Sequence, residues 1–476
     1  MTRTAIHAMK FDFDLMVIGG GSAGLTAAHL AAGAGRKVAL VERDRTGGEC
    51  LYTGCVPSKT LLNLASEVWT ARKAARYGLS HNLDSEGPVD WSAVKARLRE
   101  VIAKIAPQDS PEALERAGVV VIKGEGQFVA DHTLEVNGTP YRARGFLLAT
   151  GARPHVPDAL EGLPYHTTES IFELGELPKH LAILGGGAVA VELAQAFVRL
   201  GSRVTVVSGG DCLVSRFEPE VSRLLRQTLE REGVHLRLRS EVLGGRVTVK
   251  GLELKLKNDA MLEVSHLLVA AGKRPRVQNL GLEILGAEFD ESGLKTDPLG
   301  RSSCPYLWGA GDVLGRDLYT HAAVEEAILS VLSSLKLGGL ARWRAPQRKS
   351  YPKALFTDPE VAAFGPGESE ARAGDARIQI LEYPFSKLDR ARTDGSEEGF
   401  VKLIMSAGKL SPRLLGATVV GPRAAELLFS LELMVAARIH PLKLASPTPA
   451  YPSYAEALRY AVMGLYSSSE TFGIKR

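Results

Sequence analysis

Residues 14–42 read DLMVIGGGSAGLTAAHLAAGAGRKVALVE, and this stretch decides the fold. An apolar run, Leu15 to Ile18, enters a glycine cluster. The alanine-rich segment SAGLTAAHLAAGA then predicts a helix, and VALVE predicts a second strand. Gly19, Gly21 and Gly24 fit GxGxxG. In that motif the first glycine permits the tight turn, the second lets the backbone approach a pyrophosphate, and the third packs helix on strand. A helix starting at Ser22 and Ala23 would turn its unpaired N–H groups toward phosphates. Glu42 ends the second strand, 23 residues after Gly19, where a carboxylate can hold a ribose diol. The glycines alone are weak evidence; with strand, helix and Glu42 in place they predict a dinucleotide site.

The pattern recurs at 181–208 as LAILGGG, AVAVELAQAFVRLG and RVTVVS. Gly185 and Gly187 hold the first two motif positions, and Ala190 the third. The second strand ends in Ser208-Gly209-Gly210, with no acid for a free ribose diol and no adjacent arginine for a 2′-phosphate. The choice between NADH and NADPH is therefore open. Arg203 and Arg216 lie nearby, but read equally well as surface charges.

At 476 residues the chain is long enough for about three domains at roughly 100–200 residues each. Its hydrophobic content of 45% and charged content of 24% are those of an ordinary globular protein. The net charge of +4 is scattered, which argues against nucleic acid as a partner. Four cysteines are too few for a secreted disulfide scaffold, so a reducing, cytoplasmic setting is expected. No apolar run is long enough for a membrane span. The nearest, Leu427 to Ile439, is broken by Glu432 and Arg438. The start of the chain lacks the apolar core of a signal peptide. Residues 335–350 are polar and are expected to form a linker, and strands mixed with helices from 351 onward predict a separate domain.

The most specific segment is Gly47–Lys59, GGECLYTGCVPSK. Cys50 and Cys55, with four residues between them in a glycine-bounded segment, run into a predicted helix. A thiol near a helix N-terminus and a cation is pushed toward the thiolate. The thiolate attacks disulfides or binds soft metals. The spacing alone is equally compatible with two inert core cysteines.

This segment resembles the GGxCxxxGCVPSK signature of the class I pyridine nucleotide-disulfide oxidoreductases, the family of glutathione reductase, dihydrolipoamide dehydrogenase and mercuric reductase. ATGARP (149–154) and AAGKRP (270–275) resemble that family's strand crossovers. WGAGDV (308–313) resembles its second FAD motif, and THAAVEEA (320–327) its helix at the flavin. The resemblance implies an α/β fold with two Rossmann-like dinucleotide-binding domains and a C-terminal α+β dimerisation domain. FAD would be bound by 1–155 and 276–348, NAD(P)H by 156–275, and a homodimer would form through 349–476.

By the same resemblance, Cys55 is the flavin-facing thiolate and Cys50 the interchange thiol that meets the substrate. Lys59 pairs with Glu192 beside the flavin. Gly19, Gly21, Ser22, Ala23, Gly24, Glu42, Gly48, Lys59, Thr150, Gly151, Gly311, Asp312, His321 and Ala322 are implied at FAD, and Gly185, Gly187, Ser208 and Gly272 complete the cofactor set. No metal ligand is implied.

The chain departs from the family in three places. Disulfide-reducing members carry a His-Pro-Thr-x-x-Glu segment, supplied by the dimer partner. Here the stretch is Tyr451-Pro452-Ser453-Tyr454-Ala455-Glu456, so Tyr451 stands where the acid/base histidine is expected and Glu456 keeps the carboxylate. A phenol with a pKa near 10 is a poor proton acceptor at neutral pH, which argues against glutathione or lipoamide disulfide as the acceptor. Tyrosine there resembles the mercuric-reductase branch, yet no cysteine follows Cys304 to relay a metal. Glu49 replaces the usual threonine before the first cysteine. The function expected is electron transfer from NAD(P)H through FAD to the Cys50–Cys55 pair, and on to a small acceptor: a disulfide, a metal ion or another oxidant. The rivals are a mercuric reductase, a flavin-only metal or quinone reductase, a dihydrolipoamide dehydrogenase and a non-catalytic redox-sensing flavoprotein.

Overall fold

The computed structural model describes residues 10–74, 77–78, 89–257, 260–344, 351–374, 377–406 and 412–464. The chain divides into two compact units. One comprises Met1–Leu61, Val89–Leu177 and Leu268–Ala345, and the other Leu62–Pro88, Pro178–Leu267 and Pro346–Arg476.

The first unit is built on β1 (Phe13–Ile18), β2 (Val38–Glu42), β3 (Val119–Lys123), β4 (Gly126–Ala130), β5 (Thr133–Val136) and β6 (Thr139–Leu148), in the order β3-β2-β1-β6-β5-β4. The β3-β2-β1-β6 pairs are parallel, and the short strand Leu307–Gly309 adds in parallel to the end of β6. β1 is apolar on both sides because both of its faces are covered, as parallel strands require. Met16 and Ile18 enter one core with Ala39, Val41, Phe146 and Leu148. Leu15 and Val17 enter the other with Val38, Leu40 and Leu147. This second core is closed by helices Ser22–Gly33 and Thr320–Ser334, whose fully buried Ala27, Ala28, Ala31 and Ala327 leave room for close packing.

In the second unit Arg203–Ser208 pairs in parallel with His235–Leu238 on one side and with His180–Leu184 on the other. An antiparallel three-stranded sheet, Val242–Thr248, Gly251–Leu256 and Met261–Val264, belongs to the same unit. Its C-terminal part is a five-stranded antiparallel sheet ordered Lys353–Leu355, Val361–Phe364, Leu414–Val420, Phe400–Ser406, Ile378–Pro384. Helices Ala424–Ala436 and Ala455–Met463 share a core with it around Phe364, Leu403, Met405, Leu431 and Leu458.

This is the α/β architecture expected: two parallel dinucleotide-type sheets and an antiparallel C-terminal domain. The stretch expected as a linker, residues 335–350, contains the division between the two units at Ala345 and Pro346, but part of it is helical, at Gly338–Arg344. Ala341 is buried there with Leu299, Leu329 and Leu332, and Arg344 pairs with Glu325 at 2.9 Å. A small apolar residue and an ion pair help to hold this part of the polar segment down. Residues 345–350 lie outside those described.

Candidate active site

The glycine turn of the first unit forms as the spacing predicts. Gly19 adopts a φ of +105°, and a Cβ on Gly24 would lie 1.8 Å from the Gly19 carbonyl oxygen, so helix and strand meet there only without a side chain. Helix Ser22–Gly33 starts at Gly21 with no capping side chain. Glu42 accepts hydrogen bonds from Gly20 N at 2.6 Å and Asp44 N at 2.8 Å, which ties the turn to the end of β2.

The redox segment is folded against this turn. Gly48, at φ +61°, places its Cα so near Gly21 that a Cβ would stand 2.6 Å from the Gly21 Cα. The short helix Gly48–Tyr52 carries Cys50, and Cys55 is the first residue of helix Cys55–Ala74. An FAD diphosphate fits this cradle: two facing glycines and an uncapped helix N-terminus present backbone N–H groups without side-chain obstruction.

Cys50 is half-buried, and Cys55 is exposed. The Cys50 thiol hydrogen-bonds Cys55, and Thr320 Oγ1 lies 3.4 Å from each sulfur. That hydrogen bond to Cys55 pushes the Cys50 thiol far up, burial and the Cys55 charge add to it, and hydrogen bonds with Thr320 and Ser22 oppose it. Cys55 instead sits at a helix N-terminus, where the backbone dipole favours an anion. The two sulfurs therefore sit in different surroundings: burial and the Cys55 hydrogen bond disfavour a thiolate at Cys50, and the helix N-terminus favours one at Cys55.

A charged cluster flanks the pair. Lys273 Nζ lies 2.7 Å from Glu49 Oε1 and 3.1 Å from Asp312 Oδ2. Burial works against this ammonium, but Asp312 and Glu49 outweigh it and raise its pKa. The Asp312 loop is fixed in turn by Glu326, only 4% exposed, which accepts from Gly311 N at 2.9 Å and from Arg316 Nε at 2.8 Å. Burial pushes the Glu326 carboxyl up despite Arg316. Strands Ala152–Pro154 and Lys273–Pro275 pair antiparallel. They are joined further by Thr150 Oγ1 donating to Arg276 O at 2.6 Å and His155 N donating to Gly272 O at 2.9 Å, and Gly151 and Gly272 both have positive φ. His321 stacks on Tyr319 at 5.5 Å, and Ala322 is buried.

The first unit thus brings Cys50, Cys55, Ser22, Asp312 and the FAD-type glycines together. It also contains Lys59. Sequence reading missed the contribution of Thr320 and of Lys273. Thr320 opens the flavin-type helix motif and Lys273 follows Gly272 in AAGKRP, but only the folded chain shows that both reach the redox segment.

In the second unit, Gly185 has φ +129° and Gly187 caps helix Ala188–Leu200 without a side-chain cap, repeating the anion-type turn. Ser208 is buried beside Gly186, where a Cβ would come within 2.7 Å of its Oγ. Glu192 is buried and accepts from Phe356 N at 2.9 Å. Tyr451 is 73% exposed and donates its hydroxyl to Asp389 Oδ2 at 3.0 Å. That hydrogen bond raises the phenol pKa further. Glu456 is buried and accepts from Ser453 N at 3.1 Å, at the start of its helix. Among the described residues no group of three or more His, Cys, Asp or Glu side chains is placed to hold a metal ion, and no helix is long and apolar enough to cross a membrane.

Two dinucleotide-type turns and a cysteine pair at the first of them define a flavin- and nicotinamide-dependent disulfide oxidoreductase. Comparison with known proteins agrees. Residues 13–327 match the family described as pyridine nucleotide-disulphide oxidoreductase, and residues 351–462 match its dimerisation domain. The chain is 31% identical to a glutathione reductase of Burkholderia cepacia, covering 94% of this chain and 98% of that protein. It is 30% identical to a mercuric reductase of Staphylococcus aureus, covering 95% and 82%. Among solved structures it is similar to the Cu(II) complex of the HOCl-induced flavoprotein disulfide reductase RclA from Escherichia coli, with a TM-score of 0.84, 26% identity, and 96% and 99% of the two chains covered.

The chain belongs to the pyridine nucleotide-disulphide oxidoreductase family. It is an FAD-dependent NAD(P)H oxidoreductase with Cys50 and Cys55 as its redox pair. Glutathione and mercuric reductases match it equally well, so identity does not single out the mercuric-reductase branch.

Proposed function

We propose that this enzyme delivers electrons through the Cys50 thiol to a small acceptor that needs no histidine acid/base, such as a metal ion or a reactive oxidant. The observation that carries the reading is the asymmetric setting of the dithiol, with Cys50 half-buried, Cys55 exposed at a helix N-terminus, and Thr320 Oγ1 3.4 Å from both sulfurs. FAD, when bound, supplies the two-electron link between nicotinamide hydride and the cysteine pair. Gly19, Gly21 and Gly48 would hold its diphosphate, and Asp312 its ribityl chain. Cys55 keeps the thiolate and Cys50 keeps the proton. When the Cys50–Cys55 bond re-forms, the thiolate–thiol pair passes two electrons to the acceptor and releases the one proton that Cys50 held.

Tyr451 supports a non-disulfide acceptor: its hydroxyl is committed to Asp389, and its pKa moves away from neutrality. The Cu(II) bound by the RclA structure makes a soft or redox-active metal a natural first candidate. The Lys59–Glu192 ion pair, the nicotinamide turn at Gly185, Gly187 and Ser208, the assembly of the dimerisation domain into a homodimer, and a cytoplasmic location belong to the same proposal.

The test is anaerobic titration of the yellow holoenzyme with NADH and, separately, NADPH. A long-wavelength thiolate-to-flavin band is expected, lost in Cys55→Ser, and the more effective donor names the nicotinamide. Turnover with the metal or oxidant should fall by about 100-fold or more in Cys50→Ser. Full turnover in that variant would mean that the cysteines do not pass the electrons on.

A further inference from the structure

The turn that carries Cys50 begins with an acid, Glu49, where the family resemblance calls for threonine. That carboxylate meets Lys273 at 2.7 Å, and the same ammonium meets Asp312 at 3.1 Å. Three segments far apart in sequence are joined by one cation: the redox turn, the strand Lys273–Pro275 and the Gly311-Asp312 loop. The loop is itself held by Gly311 N on buried Glu326. The turn is held from its other side, where Thr53 N donates to Glu49 O at 2.9 Å. The cluster is therefore anchored at both ends, and its side chains are partly shielded from water, with 32% of Glu49, 23% of Lys273 and 17% of Asp312 exposed.

We propose that Glu49 and Lys273 are positioning residues that clip the Cys50 turn to the Asp312 loop and set the charge felt by the Cys50 sulfur. Formally the cluster holds two carboxylates and one ammonium, a net charge of −1. Glu49 is the immediate neighbour of Cys50, so its charge opposes the thiolate and the charge of Lys273 offsets it. Other groups face the same region. Cys55, Thr320 and Ser22 contact Cys50. Arg276, itself near Arg43, Arg153 and Glu169, is felt at Glu49, and Arg45 stacks on Tyr52 of the same short helix at 3.7 Å. None of these joins the three segments as Lys273 does. The inference rests on Cys50 being the interchange thiol.

The experiment is alkylation of the reduced holoenzyme with iodoacetamide across pH, with the label assigned to Cys50 or Cys55 by peptide mass. Lys273→Met leaves two carboxylates without their cation. Cys50 labelling at neutral pH should slow by about three- to tenfold, and its profile should move to higher pH. Glu49→Gln should do the opposite by a similar factor. The double variant has the same net charge as the wild type, −1, carried by Asp312 alone, and should return toward the wild-type rate. Lys273→Arg should preserve it.

A clip with no electrostatic role would move both single variants in one direction and leave the double variant no nearer the wild type than they are. That result, or rates within about twofold throughout, overturns the proposal. Should Lys273→Met fail to fold, Glu49→Gln still decides, because it keeps Lys273. A label found on Cys55 and never on Cys50 in the wild type would overturn the interchange assignment instead, which keeps the two failures apart.

Discussion

Thr320 is the residue that ties chemistry to fold most directly. Its hydroxyl is 3.4 Å from both sulfurs, and its hydrogen bond is one of two that pull the Cys50 pKa down against Cys55 and burial. Thr320→Val removes the hydroxyl and nearly preserves the shape. Cys50 should then hold its proton to still higher pH, and labelling at neutral pH should slow by about three- to tenfold, whereas Thr320→Ser should stay near wild type. Equal rates in the valine variant would show that the hydroxyl does not act on Cys50. None of this was legible in the sequence, although the cysteine pair was. GGECLYTGCVPSK announces itself by local spacing, but Thr320 comes 265 residues after Cys55. The alignment of helix Thr320–Ser334 beside the glycine turn is a tertiary fact that periodicity does not encode. Lys273 is the same kind of case, since it reaches Glu49 only after Lys273–Pro275 has paired with Ala152–Pro154.

Elements were more legible than contacts, because glycine spacing and apolar runs are local signals. β1, helix Ser22–Gly33 and β2 form where the reading of residues 14–42 puts them, and the second copy does likewise at His180–Leu184, Ala188–Leu200 and Arg203–Ser208. Strand Phe400–Ser406 shows what such reading leaves out. FVKLIMS is a plain strand, and its lysine would be expected to face water. Instead the Lys402 side chain is 2% exposed, 2.7 Å from Glu368, 3.4 Å from Glu218 and 3.6 Å from Glu220. Glu218 is also buried and accepts from Glu368 N at 2.8 Å. Lys402→Met should therefore destabilise the second unit by about 3–5 kcal/mol, chiefly by stranding the Glu218 charge, and Glu218→Gln in the same chain should recover part of that loss. The pH dependence has a definite sign. Lys402 holds the Glu368 carboxyl below its ordinary 4.5, so its contribution is present above that value and is lost as pH falls through the folded pKa. Thermal melts from pH 7 to 3 should show the wild type losing more than Lys402→Met. Parallel losses in the two proteins would assign the acid sensitivity to other carboxylates.

At the scale of the whole molecule the proposed homodimer brings in a second copy of the chain. The dimerisation domain spans 351–462, and its helix Ala424–Ala436 presents Phe429 and Leu433, one turn apart and 65% and 54% exposed in the single chain. Large apolar side chains exposed on such a domain are candidates for burial between subunits. Anchors of this kind are worth about 1–2 kcal/mol each at an interface centre. Phe429→Glu with Leu433→Glu should thus weaken self-association by about 100-fold or more, seen in sedimentation velocity as a shift from dimer to monomer on dilution. The cradle of Gly19, Gly21 and Gly48 and the Cys50–Cys55 pair belong entirely to the first unit of one chain. The monomer should accordingly stay yellow and still be reduced by its nicotinamide. Tyr451 and Glu456 lie in the domain whose partner copy the family resemblance places at the acceptor side. If that placement holds here, the monomer should lose turnover with the acceptor while keeping its reduction by nicotinamide. A monomer that turns over at the dimer rate would show that one chain carries the complete site, and that Tyr451 and Glu456 serve the interface rather than the acceptor.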